Sequence, residues 1–155
     1  MIYILSGKKG SGKTTALHNF SKNKIGMGGI LSPEINGERF FLDVSSGKTI
    51  PMETNGTETE LFLMGRFNFR ASAFEEAEKI ILKSISENKV TVIDEVGPLE
   101  IRLHKGFDDL LKKIFCKNAD LIVVVRIGLT DEFLAKYDPP QYQFITKDNL
   151  LATVF

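Results

Sequence analysis

At 155 residues the chain is long enough for one domain, residues 1–155, that buries roughly two thirds of its unfolded surface without staples. Twenty basic residues balance twenty acidic ones, so no global field favours nucleic acid or an anionic membrane. The single cysteine, Cys116, excludes an internal disulfide; it reads as a small buried apolar residue and fits a reducing, cytoplasmic setting.

Ile2-Tyr3-Ile4-Leu5 reads as a short buried strand. It lacks the basic flank of a signal peptide, and Leu121 to Val125 is far too short to span a bilayer, so no membrane role is expected. The strand runs into Gly7-Lys8-Lys9-Gly10-Ser11-Gly12-Lys13-Thr14-Thr15, which fits G-x-x-x-x-G-K-[ST] in full, and Ala16 to Lys22 follows as a helix. Glycines let the backbone curl with its N–H groups inward, and the positive helix end opens at the same place, giving a cradle for a di- or triphosphate. Lys13 can reach the β- and γ-phosphates and the Thr14 hydroxyl can hold Mg²⁺. The side chains of Lys8 and Lys9, within the same binding stretch, read as solvated charges that raise the local potential. His18 reads as a helix-surface residue, and neither it nor His104 has a partner at zinc-ligand spacing.

Gly26-Met27-Gly28-Gly29 reads as a flexible break. Residues 28–69 then suggest an antiparallel meander: Ile30 to Ile35, the hairpin signal Asn36-Gly37, Glu38 to Val44 as the return strand, and Thr49 to Met52 after a further turn. Pro33 and Pro51 favour edge positions. Leu61 to Arg70 reads as a half-buried aromatic strand with Arg66 and Arg70 exposed. Ser72-Ala73-Phe74-Glu75 is a capping-box signature for a helix through about Glu87, ended by Asn88-Lys89.

Val90-Thr91-Val92-Ile93-Asp94-Glu95 is a buried parallel strand ending in two carboxylates at the ligand edge of an open α/β sheet. Asp94 can hold Mg²⁺ opposite Thr14, and Glu95 is placed to orient an attacking water. Phe107 to Lys117 is an amphipathic helix, and Leu121 to Arg126 a further central strand. Arg126, at its end, has two roles open to it: an in-cis arginine finger on the γ-phosphate, or a salt bridge to Glu95 or Asp131. Thr130 opens a short helix, Asp138-Pro139-Pro140 breaks it, and Gln143 to Thr146 is a last strand. Thr146, Lys147 and Asn149 are placed to touch a base, but Thr-Lys-Asp-Asn is not a guanine-reading N-K-x-D.

Gly7–Thr15 together with Asp94-Glu95-Val96-Gly97-Pro98-Leu99-Glu100 resembles the THEP1 nucleoside-triphosphatase family, whose second motif is D-E-[IV]-G-P-[LM]-E. Gly65-Arg66-Phe67, Val124-Val125-Arg126 and Phe144-Ile145-Thr146 fall in that family's order. The resemblance implies an α/β, RecA-like P-loop fold with a mostly parallel sheet flanked by helices. It also implies slow, Mg²⁺-dependent hydrolysis of ATP, GTP and other nucleoside triphosphates, with Asp94 assisting the metal, Glu95 as base and Arg126 as a further catalytic residue. The segment around Ser32 to Arg39 is shorter and more acidic than the family's usual strand pair. Two alternatives remain: a small nucleotide or nucleoside kinase, with Arg66 and Arg70 to grip an acceptor, and a nucleotide-dependent switch whose 28–69 meander meets a partner, protein or nucleic acid.

Overall fold

The structure, a computed structural model, describes residues 1–22, 24–54, 56, 60–87, 90–150 and 152. Its elements are β1 (Ile2–Gly7), α1 (Lys13–Lys22), β2 (Met27–Leu31), β3 (Glu34–Ile35), β4 (Glu38–Asp43), β5 (Thr49–Pro51), β6 (Leu61–Met64), β7 (Phe67–Arg70), α2 (Ala71–Glu87), β8 (Val90–Val96), α3 (Pro98–Ile101), α4 (Asp108–Ile114), β9 (Asp120–Arg126), α5 (Thr130–Tyr137) and β10 (Tyr142–Ile145).

Five strands pair in parallel in the order β10-β1-β9-β8-β2, and β4 adds antiparallel to β2, carrying β3 and β5. Both faces of β9 and β8 are covered, which is why they read as unbroken apolar runs rather than alternating ones, whereas the edge strand β10 is exposed at Tyr142, Gln143 and Phe144. On β9, Leu121, Val123 and Val125 pack with α2, α3, α4 and α5, whereas Ile122 and Val124 pack with Leu17 and Phe20 of α1. Aromatic edges fill the larger core: Phe74 meets Phe41 at 5.0 Å and Phe107 at 5.0 Å between ring centres.

This order puts β1 at the switch point. The chain leaves β1 toward β2 on one side, and β9 crosses back past it to β10 on the other, opening a crevice at the carboxyl ends of the strands.

Several expectations need correction. Gly26–Gly29 is no break: Met27, Gly28 and Gly29 are buried in β2 and pair with Val90, Thr91 and Val92. Gly29 has φ +98, and a Cβ there would run into the Val92 carbonyl oxygen, so only glycine lets β2 lie this close to β8. Ile30 and Leu31 belong to that parallel strand, and the hairpin starts later, as β3 and β4 around Asn36-Gly37. Leu61–Arg70 is a two-stranded hairpin turning at Gly65-Arg66, not one strand, with Arg70 half-buried and donating to Pro51 O at 3.0 Å. Ser72 lies inside α2 rather than at its cap. Asn88 and Lys89, expected to end that helix, lie outside the described residues. Cys116 is exposed, because Ile114 and Phe115 take the inward positions as α4 ends. Among the described residues no helix is long and apolar enough to cross a membrane.

Candidate active site

The loop after β1 turns back through a Ser11 N–H bond to Lys8 O at 3.2 Å, and α1 begins at Lys13. Gly10 and Gly12 sit at φ +74 and +82, a conformation L side chains avoid. Lys13 is buried and its Nζ donates to Gly7 O and Lys8 O, both at 2.9 Å, which ties the loop into a closed turn. Lys147, beyond β10, donates to Ser11 O at 3.2 Å, and Asn149 accepts from the Thr146 N–H at 2.7 Å, so the last loop lies against the first.

Although 80 residues apart, Thr14 and Asp94 meet: the Thr14 hydroxyl donates to Asp94 Oδ2 at 2.7 Å. β9 separates β1 from β8, so the contact is made by α1 reaching across from the loop, not by adjacent strands. The Ser32 N–H donates to the same Oδ2 at 3.1 Å, and the Ser32 hydroxyl donates to Asp94 O. Burial pushes the Asp94 carboxyl above its ordinary range, and the Thr14 and Ser32 bonds pull it back in part.

The peptide joining Asp94 to Glu95 is cis, and the β8–β9 register slips between Ile93 and Val96. Glu95, at 21% side-chain exposure, faces the crevice. Arg126 donates to its Oε1 from Nε at 3.1 Å and from Nη2 at 2.9 Å.

Above the loop lies a cavity of about 490 Å³, walled by Lys9, Gly10 to Thr15, Ser32, Pro33, Glu34, Arg39 and Glu95. That is space for a polyphosphate with its nucleoside. A smaller cavity of about 30 Å³ shares Ser32, Arg39 and Glu95 with it and continues to Arg126 and the Phe41, Phe74 and Phe107 rings. Arg66 and Arg70, on the β6–β7 hairpin, line neither.

Ser32 and Arg39 do not stand out in the sequence. Taking Ile30 to Ile35 as one hairpin strand hides the end of β2, and with it the fact that Ser32 leaves a central strand at the ligand edge. The signal is Leu31-Ser32-Pro33, where a proline stops the ladder one residue after a serine.

Thr14 and Asp94 supply hard oxygen donors from two elements, one of them a carboxylate nine-tenths or more buried. Such a set suits a small divalent cation that keeps waters and shares phosphate oxygens, so the residues fit Mg²⁺.

Residues 2–150 match the sequence profile of the family described as NTPase. The nucleoside-triphosphatase THEP1 of Methanothermobacter thermautotrophicus is 30% identical over 135 residues, covering 81% of this chain and 76% of its own. That of Thermotoga maritima is 25% identical over 144 residues, covering 88% and 79%. Among solved structures, THEP1 from the hyperthermophile Aquifex aeolicus superposes with a TM-score of 0.77 at 20% identity, over 99% of each chain. A human cancer-related nucleoside triphosphatase superposes with 0.68 at 20% identity, over 95% of this chain and 89% of that one.

Proposed function

We infer the mechanism from one premise: the chain belongs to the NTPase family and hydrolyses nucleoside triphosphates. The triphosphate occupies the cavity over the loop, its β- and γ-phosphates on the inward N–H groups and the opening of α1. Lys13 gives up its two carbonyls for phosphate oxygens. Thr14 and Asp94 would hold Mg²⁺, which would supply positive charge against the polyphosphate. Glu95 accepts a hydrogen bond from the water and turns it in line with the γ-phosphorus. As the new P–O bond forms and the bond to the β-phosphate oxygen breaks, the water's proton passes to Glu95 and the nucleoside diphosphate leaves. Arg126 occupies Glu95 Oε1 with both its bonds, which fixes the carboxylate and leaves Oε2 for the water.

The observation that carries this reading is the hydrogen bond from Thr14 to the buried Asp94, with Thr14 and Glu95 both lining the cavity over the loop. In this reading ATP and GTP are the substrates; Thr-Lys-Asp-Asn at 146–149 is not a guanine-reading N-K-x-D and supports loose base selectivity.

Phosphate release from ATP or GTP is expected without an acceptor and is abolished by chelating Mg²⁺. Glu95→Gln keeps nucleotide affinity and lowers kcat by about 10²-fold or more. Release that required a nucleoside or monophosphate would instead favour the kinase, and unchanged turnover in Glu95→Gln would falsify the role given to that carboxylate.

A further inference from the structure

We propose that Arg39 is the residue that grips the γ-phosphate, the task that sequence alone offers to Arg126. The assignment rests on the reading of the loop cavity as the triphosphate site.

Of the other cations lining or flanking the crevice, Lys9 is exposed to solvent, and Lys13, Lys147 and Arg126 are already engaged. Lys13 is held by two carbonyls, Lys147 by Ser11 O, and Arg126 by Glu95. Arg39 is different. It comes from β4, lines the loop cavity together with Lys13, Thr14 and Glu95, and is half-buried. Its Nε is shut off from solvent and has no hydrogen-bond partner among the described residues. Its register partner across the β3–β4 hairpin is Glu34, yet among the described residues no ion pair joins the two. What the guanidinium does have is the Phe67 ring, 5.8 Å from its carbon, which braces it without neutralising it.

A half-buried cation with a dry, unmet N–H is costly unless an anion completes it. The planar guanidinium fork matches phosphate oxygens in pairs, and the cavity Arg39 faces is the one built for phosphate. Charge on the transferring phosphoryl is spread over its equatorial oxygens, and Arg39 approaches from the β4 side, across the crevice from Lys13 on α1. The geometry also divides the labour between two arginines. Arg126 positions the carboxylate that handles the water, and Arg39 binds the group being transferred.

The test compares a non-hydrolysable triphosphate analogue with ADP, each with Mg²⁺, by calorimetry on the full chain. Arg39→Ala is expected to weaken the analogue by tenfold or more, to leave ADP within about twofold, and to lower kcat by 10²-fold or more, with Arg39→Lys intermediate. Arg126→Ala keeps the preference for triphosphate over diphosphate while its turnover falls. The proposal is overturned if Arg39→Ala loses both ligands equally, if it loses neither, or if the preference vanishes in Arg126→Ala instead. Lys13→Ala separates the two levels: it abolishes ADP binding if the cavity reading holds, and intact ADP binding there overturns the cavity reading itself.

Discussion

Glu100 shows what one buried side chain can impose on the whole curve of stability. It closes the start of α3 by accepting from the Gly97 N–H at 3.0 Å, and it accepts from the Phe107 N–H at 3.4 Å, at 2% exposure. Burial pushes its carboxyl up to about 7, against the pull of those backbone bonds, with the Glu95 charge adding to the rise. A folded carboxyl raised this way binds its proton where the unfolded one has lost it, so stability falls as pH rises from about 4.5 to about 7 and is level above. The loss is on the order of 3 kcal/mol. Urea titrations at pH 5 and pH 8 should show it in the wild type and a much flatter response in Glu100→Gln. A wild type equally stable at both values would mean that Glu100 ionises without cost.

At the scale of elements, β2 shows packing overriding propensity. Two adjacent glycines read as a gap, because propensity counts what a residue prefers alone and not what a neighbouring strand leaves room for. At Gly29 the neighbouring strand decides, since the missing Cβ is what allows the ladder with Val92. Gly29→Ala is therefore expected to cost upward of about 3 kcal/mol in chemical denaturation and to weaken nucleotide binding through displacement of Ser32. An unshifted midpoint would contradict the placement of this strand. The loop, α1, β8 and β9 were legible because spacing and unbroken apolar runs encode them directly. The β6–β7 turn was not, since Gly65-Arg66 interrupts an aromatic run without altering its composition. Among the candidate site residues, Lys13 and Thr14 stand at fixed offsets in the loop motif and Asp94 and Glu95 end an apolar run, while Arg39 becomes visible only with β4 folded across the crevice.

For the molecule as a whole, the proposed site is a seam between two parts of the sheet, and a ligand that bridged them would stabilise both. Mg·ADP at a hundredfold its dissociation constant adds about 2.7 kcal/mol, which for a chain of this size raises Tm by roughly 5–10 °C. Lys13→Ala should melt near the wild-type apo temperature with or without nucleotide. A variant still stabilised by nucleotide would place the ligand somewhere other than the loop.

The strand β9, lying between β1 and β8, acts as a spacer of fixed width. Two inter-strand steps hold the backbones at the ends of β1 and β8 about 10 Å apart, a gap that α1 closes by bringing the Thr14 hydroxyl to Asp94. The opening left over β9 is walled by the loop on one side and by Glu95 on the other, which on the proposed reading is the room the attacking water takes beside the γ-phosphate.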